Sequence, residues 1–337
     1  MGKLILTRST WPWMEEMSNH LEQYYNIVFD QIFSPNTKHL VTCDRYGRLA
    51  VFSLAAALGA SADNGKSPVL TTTGGGGPAY CLETAGQLLF SGGEEGIQAW
   101  KWSDLTKTTN KTIEPVATLS PPARQHVTPD TNALVYDEAT ETLYSGCGDN
   151  NVYGWDIATG QIKTTLSGHD DYVHCLCSRA GGQLLSGAED GTVRLWDPAR
   201  ENKTVHTIHK GGRSEWVGCV GVDSGGEWIV CGGSEPPSIY HLSTLSHVTT
   251  LATPPGVITQ AILFTNDRII TAGSERLLRH WSISGDSMAT IPSAHSHAFS
   301  LAHNKNSQQY EMWTVSGDSS ELQVFTNLGY KAFSLTL

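Results

Sequence analysis

The stretch Gly168–Asp197, GHDDYVHCLCSRAGGQLLSGAEDGTVRLWD, constrains the fold more than any other part of the chain. It opens on a Gly-His pair and closes on a Trp-Asp pair. Between them, the β-favouring runs YVHCLC, QLLSGA and TVRLW are split by the turn signals RAGG and EDG. Glycines at breaks between such short runs mark hairpins. A single unit of this size leaves its apolar faces uncovered, so a stable chain must stack further copies beside it.

The copies are present. VTCDRYGRLAVFS, within Ile27–Phe52, places Thr42 at the Ser position and Phe52 at the Trp position. LLFSGGEEGIQAW ends at Trp100, TLYSGCGDNNVYGWD at Trp155-Asp156, RIITAGSERLLRHW at Trp281 and EMWTVSGDSSELQVF at Phe325. EWIVCGGSEPPSIYHL supplies the remaining copy, with Leu242 at the Trp position and Pro236-Pro237 distorting its hairpin. The seven anchors lie about 45 residues apart on average. Frame and period together resemble the WD40 repeat, in which each copy is one four-stranded blade. The expected fold is all-β: a seven-bladed WD40 β-propeller over residues 26–337, preceded by a short N-terminal helix within residues 1–25.

That helix is read from Trp13, Met17, Leu21, Tyr24 and Val28, which recur at helical spacing after a capping Thr10 and Pro12. It either packs on the ring or, because Trp11 and Trp13 are interface-prone residues, meets a partner. The small-residue run AAALGASADNGKSP after the first blade is expected to be a surface loop. A Pro-rich connection from Asp104 to Asn132 must contain the second blade's outer strand, around Val116–Leu119. The alternating KAFSLTL at the C-terminus sits where blade seven needs its own outer strand.

Composition excludes several functions. A net charge of −11 and a pI near 5.6 oppose a direct grip on nucleic acid, which needs a basic face. Seven cysteines without framework spacing read as buried thiols of a reducing compartment. No apolar run reaches the length of a signal peptide core or a membrane span. Leu6 stands where a myristoylation signal needs Ser or Thr. A soluble intracellular protein is expected.

In the WD40 family one His, one Ser or Thr, one Asp and one Trp form a buried hydrogen-bond chain within a blade. His169, Ser186, Asp190 and Trp196 match all four positions. The logic is independent of the family: a buried indole N–H needs an acceptor, and a hydroxyl supplies it while donating to imidazole. A catalytic serine must instead be exposed beside an oxyanion hole, so the set is structural and no catalytic residue is assigned. Blade three keeps Ser145, Asp149 and Trp155 without a His, and blade seven keeps Thr314, Asp318 and His297 with Phe325. The other four blades are expected to rely on apolar packing. Cys175 and Cys177 share a strand face but lack a second ligand pair, so no metal is expected. Gly74–Gly77 lacks the Lys-Ser/Thr ending of a phosphate loop. No cofactor and no small-molecule substrate are expected.

FSPNTKHLVTCDRYGRLAVFSLAAAL in blade one, GHDDYVHCLC with LLSGAEDGTVRLWD in blade four, WVGCVGVDSGGEWIVCGG in blade five and the ending FTNLGYKAFSL are distinctive, and the FTNLGY ending is not part of the generic repeat. With them the whole chain resembles the THO complex subunit 6 family. One departure is TGGGGPAY in blade two, where the family more often has a Gln-Ala-His-like turn. The resemblance implies a nuclear, non-catalytic scaffold of the THO part of the transcription-export machinery. It would dock on other THO subunits, above all coiled-coil subunits five and seven, with only indirect RNA contact. Asp170, Tyr172 and Glu189, which flank the His and Asp of blade four, join Trp11 and Trp13 as candidate partner contacts. The alternative is a substrate receptor of a cullin-4 ubiquitin ligase. Such receptors often carry Trp-Asp-x-Arg, whereas here Pro198-Ala199 separates Asp197 from Arg200.

Overall fold

The computed structural model describes residue 21 and residues 25–337, apart from 60–64, 108–112, 124–126, 180, 200, 210–214, 266–267, 306, 308–310 and 327–328. Among the described residues, twenty-eight strands, β1 to β28 in chain order, form seven antiparallel sheets of four. The first strand of each sheet is innermost. These are β1 (Val28–Phe33), β5 (Ala79–Ala85), β9 (Thr131–Asp137), β13 (Val173–Arg179), β17 (Val217–Val222), β21 (Thr259–Phe264) and β25 (Ala298–His303). Each touches the next around the ring, and β25 touches β1. The chain is a seven-bladed β-propeller.

A blade is covered on both sides by its neighbours, so the second strand of a sheet is buried on both faces, as in β10 (Thr142–Cys147) and β26 (Met312–Gly317). Outer strands alternate instead, as in β12 (Ile162–Ser167), where only Leu166 is fully buried. The apolar clusters therefore sit between blades. Leu185, Val193, Val217, Ile229 and Tyr240 join blades four and five, and Phe33, Phe52, Leu322, Val324 and Leu335 join seven and one. That second cluster closes the ring. At blade seven's edge β28 (Tyr330–Thr336) pairs with β27 (Ser319–Thr326), so the C-terminal run completes the blade. Asp30 adds a polar clasp: its carboxylate accepts from the Ser300 hydroxyl at 2.7 Å and the Leu82 N–H at 2.8 Å. One side chain thereby ties blade one to blades seven and two.

Four local expectations need correction. Val28 belongs to β1, not to the helical run; apart from Leu21, the rest of that run, with Trp11 and Trp13, lies outside the described residues. The small-residue linker opens as a helix, Leu54–Gly59, which buries Leu54 and Ala57. Its Ala and Leu residues favour helix, and the Ser53 hydroxyl accepts the Ala56 N–H at its start. In blade five Tyr240 opposes Ile229 as Trp196 opposes Leu184, so Tyr240 and not Leu242 holds the anchor position. The Pro236-Pro237 hairpin is one residue shorter there than in blade four. In blade seven Val315 opposes Gln323 as Ser186 opposes Arg194, which turns the Thr314 hydroxyl to the other face.

Candidate functional site

Blade four holds its polar chain in the core. Trp196 Nε1–H donates to Ser186 Oγ at 2.8 Å, Ser186 Oγ lies 2.7 Å from His169 Nε2, and His169 Nδ1 lies 2.8 Å from Asp190. The carboxylate only accepts, so Nδ1 carries the ring hydrogen and Nε2 receives the serine proton. Burial opposes ionisation of Asp190, but His169, the Thr192 hydroxyl and the Asp170 N–H outweigh it and hold the carboxyl far below its ordinary range. Ser186 is fully buried, with no surface for a substrate.

The indole–hydroxyl bond extends beyond this blade. Trp100 donates to Ser91 at 3.0 Å, Trp155 to Ser145 at 2.9 Å and Trp281 to Thr271 at 2.9 Å. Blades two and six thus do not rest on apolar packing alone. In blade three Asp149 accepts from the Tyr153 hydroxyl at 2.7 Å, which replaces the missing His. In blade seven the buried imidazole is His295, 3.2 Å from Ser319 Oγ, while His297 is half-exposed and stacks on Phe299. The loop before β25 brings His295 inward and turns His297 out.

A second arrangement forms at the end of the ring where His169 and Asp190 lie. Near its start, each inner strand skips one residue in its pairing with the next strand. Such bulges re-aim side chains. The skipped residues are Phe29, Tyr80, Asn132, His174, Gly218, Gln260 and Phe299, and all line a central cavity of about 540 Å³. Phe29 meets Tyr80 edge-on at 5.3 Å and Phe299 at 5.8 Å, between ring centroids. Trp216 meets His174 at 5.8 Å, and His174 Nε2 lies 2.9 Å from Glu189. Gly218 is required for this packing, since a Cβ there would come within 2.2 Å of the Trp216 ring.

Asp30 and Glu189 line the cavity with these rings, and Glu94 stands at the tip of Tyr80. The Tyr80 hydroxyl donates to Glu94 at 3.3 Å; burial, then Glu94 and Asp130, push its pKa up to about 12. Asp130 is raised by burial and by Glu94. Asp30 is raised by burial despite its three hydrogen bonds. Among the described residues, no Lys or Arg lines the cavity.

Residues 160–197 match the WD domain, G-beta repeat model. THO complex subunit 6 homolog of Danio rerio is 35% identical over 327 residues, which cover 94% of this chain and 99% of that protein. THO complex subunit 6 of Homo sapiens is 34% identical over 334 residues, 95% of this chain and 96% of that protein. The chain belongs to the THO complex subunit 6 family. THO complex subunit 6 of Arabidopsis thaliana is 29% identical over 296 residues, 79% of this chain and 80% of that protein.

In this THO complex subunit 6 family member the repeat model falls on blade four, where the polar chain is complete. Of the contacts expected from sequence, Glu189 lines the cavity, and Asp170 and Tyr172 are exposed at the same end, Tyr172 by 50%. Arg200 lies outside the described residues. Phe29, Tyr80, Trp216 and Phe299 were not singled out by sequence. For Phe29, Tyr80 and Phe299 a signal was present: an aromatic residue directly after the buried residue that opens an inner strand, as in Val28-Phe29, Ala79-Tyr80 and Ala298-Phe299, whereas Trp216 precedes its strand.

Proposed function

We propose that this chain is a non-catalytic WD40 scaffold of the nuclear THO complex. It docks on other THO subunits, foremost coiled-coil subunits five and seven, and so supports coupled mRNA transcription, processing and export. The observation that carries this reading is the near full-length match to THO complex subunit 6 proteins. The burial of the Ser-His-Asp set under Trp196 supports a structural rather than a catalytic use of those residues. An acidic chain with an acidic cavity mouth repels phosphate, which favours indirect contact with RNA. The docking surface in this reading is the mouth, with Asp170, Tyr172 and Glu189, together with Trp11 and Trp13 of the N-terminal extension.

Affinity purification of the tagged chain from nuclear extract, with mass spectrometry, tests this. THO subunits are the expected co-purifying proteins; a cullin-4 adaptor recovered without them would replace the reading by the ligase alternative. Tight, steeply salt-dependent binding of RNA by the purified chain would contradict indirect contact.

A further inference from the structure

The mouth of the central cavity brings together aromatic rings and carboxylates from several blades. Aromatic rings face into it from three consecutive blades, since Phe299, Phe29 and Tyr80 come from blades seven, one and two. Carboxylates stand beside them: Glu94 at the Tyr80 hydroxyl, Asp130 near enough to act electrostatically on both, and Glu189 at His174. Among the described residues, no Lys or Arg forms an ion pair with Glu94, Asp130 or Asp30. Elsewhere the chain does pair its acids, as in Arg279–Glu275 at 2.6 Å and Arg48–Asp44 at 2.7 Å. Like charges left together beside π faces raise the free energy of the empty site, and a cation relieves it.

We infer that the channel mouth is a binding site for a basic side chain, an arginine by preference, projecting from an extended segment of a partner polypeptide. The cavity, about 540 Å³, falls in the roughly 300–1,000 Å³ range of ligand clefts. Arginine fits better than lysine because a planar guanidinium stacks on an aromatic face while its edge donates to two carboxylates. Glu94 and Asp130 take that edge, and Tyr80 with Phe29 flanks it. Nucleic acid is the wrong partner for the same reason: phosphates would meet the carboxylates. The site does not depend on which THO subunit supplies the side chain, so it goes beyond the docking reading.

The test uses the full chain and a fluorescent peptide, Gly-Ser-Gly-Arg-Gly-Ser-Gly, titrated by anisotropy. Saturable binding is expected, half-maximal below about 1 mM. Replacing the arginine by citrulline, which keeps the shape and removes the charge, should weaken binding at least tenfold, and lysine should fall between. A double variant, Glu94→Gln with Asp130→Asn, should also bind at least tenfold more weakly with an unchanged thermal melt, since an amide at position 94 still accepts from the Tyr80 hydroxyl and Asp130 makes no side-chain hydrogen bond among the described residues. Equal binding of the citrulline peptide, or wild-type binding by the double variant, overturns the inference. So does an oligouridine probe that binds and is released by the same two substitutions. Purifying the double variant from nuclear extract separates the two readings. Peptide binding lost with THO subunits retained leaves the channel site standing and moves subunit docking elsewhere. Peptide binding intact with THO subunits lost removes the channel site and leaves docking standing.

Discussion

Replacing Ser186 by Ala should destabilise the chain more than the same change at Ser91, although each serine is buried beneath a tryptophan. Ser186 Oγ serves two buried partners, accepting from Trp196 at 2.8 Å and meeting His169 Nε2 at 2.7 Å. Among the described residues, Ser91 Oγ accepts only from Trp100, at 3.0 Å, because blade two has glycines where the His would be. Each buried polar group left without a partner costs about 1–3 kcal/mol. Ser186→Ala strands two such groups and should cost roughly 2–6 kcal/mol, against roughly 1–3 for Ser91→Ala. The oxygen removed is the same, so the cavity contribution cancels in the comparison. Thermal denaturation gives the ranking, and hydrogen exchange gives its location. Faster exchange in β14 (Gln183–Ala188) and β15 (Thr192–Asp197), with β13 following, is expected only for Ser186→Ala. Equal losses for the two variants would mean that His169 contributes nothing through Ser186, and the chain of four would reduce to an indole–hydroxyl pair.

The remaining predictions concern charge. Asp190 is held low in the folded state, so its contribution is fully present above its unfolded value near 4 and is lost as pH falls below that. Asp190→Asn should therefore be less stable than wild type at pH 7 by about 1.5–3 kcal/mol, with the gap closing below pH 4; a pH-independent gap would refute this. Glu83 shows the opposite sign: burial pushes it up to about 7, above its unfolded value of 4.5. The wild type should lose stability relative to Glu83→Gln as pH rises from about 4.5 to 7, and a flat difference in Tm between pH 5 and 8 would count against it. Asp30→Asn keeps one acceptor oxygen for two neighbouring blades and should cost about 1.5–3 kcal/mol. Amides of β1 and β25 should then exchange faster while β13 is unchanged; unaltered exchange in β1 would show that the ring closes without the clasp.

What the sequence revealed and what it hid follow one physical division. The hydrophobic alternation, the turn glycines and the serine-to-tryptophan spacing act within one blade, so seven blades and the four polar residues of blade four were legible. Errors came where one residue of register decided the outcome. Thr314 and Val315 are adjacent, and adjacent strand residues face opposite ways, so only the pairing with Gln323 shows which one takes the serine place. His295 and His297 both precede Ala298, and the loop path alone decides which is buried. The Pro236-Pro237 hairpin shifts the anchor to Tyr240, a displacement that no motif spacing records. The helix Leu54–Gly59 is too short for a period to declare itself.

The channel mouth was hidden for a deeper reason. Phe29 and Phe299 are in contact across almost the whole length of the chain, and each blade contributes one skipped residue. The fold constrains the neighbours of these positions. Val28, Ala79, Val173 and Ala298 are apolar because they are buried between blades. The skipped residues share no such duty, although Asn132 donates to the Val173 carbonyl of the next blade at 3.1 Å, and across the seven blades they are Phe, Tyr, Asn, His, Gly, Gln and Phe. A repeat motif describes what all copies must share to stack, and so it says nothing about positions where copies differ without cost to stacking. Those positions are the ones a binding partner can shape. In a propeller built from imperfect repeats, the search for function should therefore begin at the bulged inner-strand residues, where the demands of the blade stop.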